Sequence, residues 1–218
     1  MKEDKNSIMI EYLLKNNYID ERIASAMREI KRELFIPAEL KDSSYLDLPL
    51  PIGFGQTISA PSIVGIMLKE LNVREGMTVL EIGTGSGWQT CLLAKLVGNS
   101  GKIYSIERIK ELAENAKQII KQLGIENVEI IVKDGTEGLR EKSPFDRIIV
   151  SAASPQIPLP LLEQLKKGGK MLIPLGIGYW QDLVLVEKNE NEGISTRAIL
   201  PVMFVPLVGR FGYYEKDY

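Results

Sequence analysis

The chain has 218 residues, 44% hydrophobic and 26% charged, which suits one large soluble domain or one domain with a small extension. A net charge of −2 provides no basic field for nucleic acid or anionic lipid, and a lone cysteine, Cys91, excludes an internal disulfide and any cysteine-based metal cluster. The chain contains no histidine, which removes the usual metal ligand and the usual general base near neutral pH, so no metal is expected.

The opening MKEDKNSIMIEYLL is charged first, and its apolar run is too short for a secretory signal or a membrane span. No later apolar stretch reaches spanning length without charge or proline, so a cytoplasmic protein with no membrane partner is expected. Residues 7 to about 34 read as two helices. Ile8, Tyr12 and Leu13 recur at helical spacing in the first, a break falls at Asn16-Asn17, and Asp20 caps a second with Ile23, Met27, Ile30 and Leu34 on one face. The section from Lys41 to Gly55, with Pro49 and Pro51, reads as irregular. Leu46, Leu48, Leu50, Ile52 and Phe54 make it too apolar for a free linker, so it must lie on something. After Gln56-Thr57-Ile58 a helix runs through Ile63, Val64, Ile66, Met67 and Leu71. Ser59 or Ala60 falls in its cap region and Pro61 in its first turn, where a missing N–H costs nothing.

From Thr78 onward strands and helices alternate, with strands at 78–82, 102–107, 128–132, 146–151 and 169–175 and helices at 87–97, 109–123 and 158–166. Gly168-Gly169 reads as a left-handed cap on the last of these helices. Strands at 182–188 and 194–206, joined by the polar turn Asn189–Gly193, form a hairpin at one edge. The pattern predicts an α/β fold with a mainly parallel seven-stranded sheet, helices on both faces and an N-terminal helical extension. One domain is expected: residues 1–71 as helices and a covering segment, 72–209 as the α/β core, and 210–218 as a tail. The aromatic tail from Phe211 is a candidate self-association contact.

The chemistry concentrates in VLEIGTGSGWQT, Val79 to Thr90, a buried strand running through a glycine turn into a helix. Gly83, Gly85 and Gly87 let the chain turn sharply and let a ligand approach the backbone, where free N–H groups of the helix start point outward. Twenty residues after Gly87, Glu107 closes the strand KIYSIE, where a carboxylate can accept from both hydroxyls of a ribose. Asp134-Gly135 follows the next strand at the same sheet edge; Asp134 can accept from an adenine amino group or serve as an Asx-turn residue. The glycine spacing is G-x-G-x-G rather than the dinucleotide pattern, and Glu81 places a carboxylate facing the turn that would repel a pyrophosphate but not a cationic sulfonium with an α-amino group. Trp88 and Gln89 are further candidates for the pocket wall, Trp88 equally for the core.

This turn resembles the first motif of class I S-adenosyl-L-methionine methyltransferases, which implies a Rossmann-like fold and cofactor contacts from Glu81, Gly83, Thr84, Gly85, Gly87, Glu107, Asp134 and Gly135. The strand FDRIIVSAAS lacks the Asp/Asn-Pro-Pro-aromatic step common in methylators of base amino groups, which argues against nucleic acid as substrate. PLPIGFGQTISAP, Pro49 to Pro61, followed in order by KIYSIER, VKDGTEG, FDRIIVSAA, LKKGGKMLIPLG and FVPLVG, is similar to protein-L-isoaspartate (D-aspartate) O-methyltransferases from about Ile23 to Gly209. Some members carry histidine just after the Ser-Ala-Pro step, where this chain has Ser62-Ile63-Val64.

The resemblance implies esterification of the free α-carboxylate of L-isoaspartyl and D-aspartyl residues in damaged proteins and peptides, with S-adenosyl-L-homocysteine as co-product. The ester re-closes to a succinimide, whose hydrolysis returns some normal aspartate. It makes Ser59 the active-site serine; Thr57 and Gln56 are candidates beside it for orienting the substrate carboxylate, with a plain N-cap as the competing role of Ser59. A carboxylate with a pKa near ~4 is already a nucleophile at neutral pH, in keeping with a chain that has no histidine. Other readings stay open: methylation of another small acid or of RNA, nicotinamide chemistry, or cofactor binding without turnover.

Overall fold

The computed structural model describes residues 4–191 and 193–214. Two helices, α1 (Lys5–Lys15) and α2 (Glu21–Glu29), open the chain, each capped by an aspartate: Asp4 accepts from the Asn6 N–H at 3.3 Å and Asp20 from the Ile23 N–H at 2.9 Å. The apolar face of α1 is Met9, Ile10 and Leu13; Ile8 and Tyr12, expected on it, face solvent. The second helix stops at Glu29, so Leu34 lies in a following 3-10 turn (Arg32–Phe35) and is exposed.

The section expected to be irregular holds a small antiparallel hairpin, β1 (Leu50–Gly53) and β2 (Gln56–Ile58), which leads into α3 (Pro61–Leu71). What this section lies on is a buried guanidinium. Arg32 donates from Nη1 to the carbonyls of Ser44 (2.7 Å) and Leu46 (3.4 Å), and from Nη2 to those of Leu48 and Ser59 (both 3.0 Å). A stretch with so little regular pairing has few backbone donors for its carbonyls, and one side chain supplies them.

The α/β core follows: β3 (Thr78–Ile82), α4 (Trp88–Val97), β4 (Lys102–Glu107), α5 (Lys110–Gln122), β5 (Val128–Val132), β6 (Phe145–Val150), α6 (Leu159–Gln164), β7 (Leu165–Ile177), β8 (Trp180–Lys188) and β9 (Ile194–Val202). The strands form one seven-stranded sheet in the order β5-β4-β3-β6-β7-β8-β9, parallel from β5 through β7 and antiparallel across β8 and β9. Alternate residues feed two cores on opposite faces: Val79, Ile103, Ile149 and Leu172 on one, and Leu80, Ile106, Ile148 and Met171 on the other. This period of two is what a parallel sheet covered on both sides requires. The strand order reverses direction at β3, between β4 and β6, so the carboxyl ends of β3 and β6 border a crevice where ligands of open α/β sheets bind.

Gly168 is left-handed as expected, at φ +72°, but it caps no helix. The helix α6 ends at Gln164, and Gly168 lies inside β7, where the register against β6 slips between Phe145 and Arg147. The edge hairpin ends at Val202, and residues 203–208 leave it to run back toward the crevice. No helix among the described residues is long and apolar enough to cross a membrane.

Arg32→Met is expected to lower the unfolding free energy by about 2–4 kcal/mol, since each buried carbonyl left without a donor costs ~1–3 kcal/mol and the backbone recovers part by shifting. Urea denaturation measures this directly. A loss under about 1 kcal/mol would mean that water or the local backbone serves these carbonyls.

Candidate active site

The glycine turn joins β3 to α4 at the crevice, with Gly83, Gly85 and Gly87 at φ +92°, +55° and +96°. The N–H groups of Gly83 and Thr84 donate to the Ile106 carbonyl at 2.8 and 3.3 Å, which ties the turn to β4. A Cβ on Gly85 would stand 3.3 Å from the end of the Ile52 side chain on the β1–β2 hairpin, a tight contact, and the positive φ strains any other residue there. Glu107, at the end of β4 and 6% exposed, braces the turn: Oε2 accepts from the Gly85 N–H at 2.9 Å and Oε1 from the Ile109 N–H at 3.0 Å. Between turn and hairpin lies a cavity of about 840 Å³, counting the space open to solvent.

Glu81 does not face this cavity. Its strand is buried on both sides, and its carboxylate lies wholly inside, behind the turn, against α4 and β4. Oε1 accepts from Gln89 Nε2 at 3.0 Å, and Oε2 from Ser105 Oγ at 2.7 Å and Thr90 Oγ1 at 2.5 Å. Burial pushes its pKa up to about 7 against the pull of these donors. The carboxyl nevertheless shapes the cavity wall. Gln89 Nε2 also donates to Ser151 Oγ at 2.9 Å, so what Gln89 has left for the cavity is its carbonyl oxygen. Because Ser105 donates to Glu81, the Thr84 hydroxyl 2.6 Å away must donate to Ser105, leaving Thr84 with lone pairs to offer. By accepting these donors the buried carboxyl turns two wall residues into acceptors, a surface suited to a cationic group.

Gln56, Thr57 and Ser59 all line the opposite wall. Ser59 is not the helix cap. Ala60 holds that position without a side-chain bond, and Asp47 Oδ1 accepts from the Ser62 N–H at 2.8 Å instead. The Ser59 carbonyl is held by Arg32, and the residue lines the cavity. Gly135 also lines the cavity, and a Cβ there would run into the Ile82 side chain. Asp134 is an Asx-turn residue: Oδ1 accepts from the Thr136 N–H at 2.8 Å and the Thr136 hydroxyl at 2.7 Å, and Oδ2 accepts from the Arg210 N–H at 2.8 Å. It borders an adjoining groove with Lys133 and Arg210 rather than the cavity itself. Trp88 is both core and wall, 1% exposed with its indole N–H donating to the Ile30 carbonyl at 3.0 Å.

Sequence reasoning missed Ile52, Arg108, Ser151 and the run Val205–Val208 as wall residues. Val205 and Leu207 bracket Ala153, at 2.8 and 2.7 Å, in a short parallel pairing beyond β6. Pro206 was the available signal, marking extended chain after the last strand. Glu107 and Arg108 are the ionisable residues of the wall among the described residues.

Residues 4–212 match the family model described as protein-L-isoaspartate(D-aspartate) O-methyltransferase. A protein-L-isoaspartate O-methyltransferase of Methanothrix thermoacetophila is 50% identical over 200 residues, covering 92% of this chain and 94% of its own. The enzyme numbered 2 in Archaeoglobus fulgidus is 46% identical over 216 residues, covering 99% and 98%. Among solved structures, a Plasmodium falciparum protein assigned to the same activity, in complex with S-adenosyl-L-homocysteine, superposes with a TM-score of 0.83 at 29% identity, covering 94% of this chain and 99% of that one.

The raised pKa of Glu81 has a consequence for stability. The folded chain keeps a proton on this carboxyl that the unfolded chain releases above about 4.5, so stability falls as pH rises from there and levels off above about 7. Glu81→Gln removes this dependence. Between pH 5 and 7.5 the unfolding free energy of the variant should fall by ~1–3 kcal/mol less than that of the wild type. Urea denaturation at the two pH values checks this, and equal changes would return Glu81 to the ordinary carboxylate range.

Proposed function

The chain belongs to the protein-L-isoaspartate(D-aspartate) O-methyltransferase family, and from that membership we propose that it esterifies the free α-carboxylate of L-isoaspartyl and D-aspartyl residues in damaged proteins and peptides, with S-adenosyl-L-methionine as donor. The observation that carries this reading is the makeup of the cavity: hydroxyls of Thr57 and Ser59 on one wall, a glycine turn braced by a carboxylate on the other, and no histidine or lysine between them. A cytoplasmic location is part of this reading. Self-association through the tail is kept as a proposal; residues 215–218 of that tail lie outside the described residues.

The wall fits the cofactor. Glu107 retains acceptor capacity for ribose hydroxyls beyond its two backbone bonds, and the N–H groups at the start of α4 meet the crevice. Gln89 and Thr84, oriented by Glu81, offer acceptors to an α-amino group. Gly83, Gly85 and Gly135 bring backbone to the cavity, whereas the space beside Gly87 is taken by Ala116 and Ile120 of α5, and Asp134 is a candidate at the adenine edge through the adjoining groove. When bound, S-adenosyl-L-methionine supplies an electrophilic methyl group on sulfur.

The protein's own contribution is placement. Ser59 and Thr57 orient the substrate carboxylate and Gln56 flanks it, while the hairpin and the 205–208 segment exclude water. The carboxylate is anionic above its pKa of about 4, so no residue has to accept a proton. The methyl ester then closes to a succinimide on its own, as the backbone nitrogen of the following residue displaces methanol, and hydrolysis returns a share of normal aspartyl linkages.

The deciding experiment measures release of S-adenosyl-L-homocysteine with isoaspartyl and normal aspartyl versions of one peptide. Release is expected only with the first, and equal release would overturn the proposal. Ser59→Ala should lower kcat by ~10-fold or more through lost orientation. Since Ala60 and Asp47 serve the helix end, this variant should leave stability within about 0.5 kcal/mol of wild type. A stability loss near 1 kcal/mol with unchanged kcat would make Ser59 a structural residue.

With saturating substrates, kcat is expected to change less than about threefold between pH 6 and 8, where a base of pKa near 7 would give a rise of about tenfold per unit on the acidic side. Initial rates of S-adenosyl-L-homocysteine formation decide this. A tenfold rise would mean that some residue is deprotonated for catalysis.

A further inference from the structure

The turn between β7 and β8 exposes a run of apolar side chains with no charge among them. Ile177 is 70% exposed, Tyr179 86% and Trp180 88%, and Met203, just past the end of β9, is 72% exposed. A tip serving only to reverse the chain would carry small polar residues. This tip is also held firmly. Gln181 is 8% exposed, and its Nε2 donates to the carbonyls of Gly178 (2.8 Å) and Phe204 (3.2 Å) while its Oε1 accepts from the Phe204 N–H (2.7 Å). The Tyr213 hydroxyl donates to the Gly176 carbonyl at 2.6 Å, fixing the root of the turn from another side.

Position gives the patch its meaning. Because β7 runs parallel to β6, and β6 to β3, the tip stands at the same sheet edge as the glycine turn and Ser151. The register pairs Gln181 with Val202, which sets Met203 beside the tip. Two residues later the chain reaches Val205, the start of the cavity wall, a step of about 7 Å along extended backbone. A second exposed ring borders the cavity from the β1–β2 hairpin. Phe54, 57% exposed, lies in the left-handed region at φ +53° between two residues of the cavity wall, Ile52 and Gln56. Glycine would sit there without strain, so packing and backbone geometry give no reason for a phenylalanine.

We propose that the tip of the β7–β8 hairpin, with Met203 and with Phe54 on the second hairpin, is a docking rim for the apolar side chains that flank a damaged residue in an unfolded polypeptide. This deepens the isoaspartyl reading and rests on it. The occupant follows from continuity with the cavity and from chemistry. A substrate defined by one altered residue has varied neighbours, so the surface that grips them must be non-directional, and exposed aromatic side chains supply area with little conformational freedom to lose. The absence of charge from Gly176 to Trp180 disfavours an anionic bilayer as occupant.

The test uses two isoaspartyl peptides with the same centre, one flanked on both sides by serines and one by leucine and phenylalanine. With wild-type protein the apolar flanks should lower KM at least tenfold. In a Tyr179→Ser/Trp180→Ser variant this advantage should shrink below threefold, with kcat, cofactor affinity and the KM of the serine-flanked peptide unchanged. Phe54→Gly should reduce the same advantage without lowering the thermal midpoint.

An advantage that persists in both variants, or is absent from the wild type, overturns the rim while leaving the isoaspartyl reading intact. Failure of the wild type to methylate either peptide overturns both. Sedimentation velocity and co-sedimentation with phosphatidylcholine vesicles cover the other occupants. If the paired serine variant dissolves a dimer or abolishes vesicle binding while flank preference stays, the tip serves a second copy or a membrane, and the proposal is wrong.

Discussion

A buried guanidinium holds the substrate side of the cavity in place. Arg32 reaches four carbonyls between Ser44 and Ser59, a section whose only regular pairing is one short hairpin. Lysine could not do this, because a single ammonium on a flexible stem lacks the planar fork that meets several carbonyls at once. Burial draws the Arg32 pKa down to about 10, still far above neutral, so the charge persists. Its guanidinium carbon also sits 5.5 Å from the centre of the Trp88 ring, and Trp88 in turn bonds the carbonyl of Ile30. The N-terminal helices, the wall bearing Ser59 and the first residue of α4 therefore meet at one place.

Glu81 plays the complementary part on the other wall. Arg32 is positive and gathers carbonyls; Glu81, with its pKa raised to about 7, gathers hydroxyls and an amide. Charges taken out of water rarely add net stability, and their value lies in fixing which way neighbouring dipoles point. Around this cavity the direction of those dipoles is what matters. A Ser59 carbonyl pulled toward Arg32 and a Gln89 amide pulled toward Glu81 leave the crevice bordered by groups of settled polarity.

Much of this was readable from residue order. The α/β alternation, the glycine turn and the strand ending in Glu107 were legible because each demands particular residues at fixed spacing, and family resemblance singled out Ser59, which lines the cavity. The direction of Glu81 was not, since a strand buried on both faces gives its alternation no inside or outside to report. Arg32 was hidden for a different reason. An arginine just past an amphipathic helix reads as solvated, and its four acceptors are brought to it only by tertiary structure. The β1–β2 hairpin is too short to show a period, and LKKGGK reads as a helix stop until pairing with β6 makes it a bulged strand. Local pattern placed Leu13 correctly but also placed Ile8 and Tyr12 inward, whereas packing against α2 and α3 turned Met9 and Ile10 there instead.

The segment that runs back from β9 has a bearing on how the protein is made. The crevice takes its floor from β3 and β6 and one wall from the β1–β2 hairpin, all of which leave the ribosome early. Val205–Val208, which close the remaining side by pairing with Ala153, emerge only after the whole β7–β8–β9 meander. At the usual ~5–20 residues per second, β3 and β6 wait several seconds for this segment with the ligand crevice open on one side. A nascent chain therefore passes through a stage in which the floor of the crevice has formed and this wall is missing, and ligand binding reports the pairing of residues 205–208 with Ala153 rather than the onset of folding.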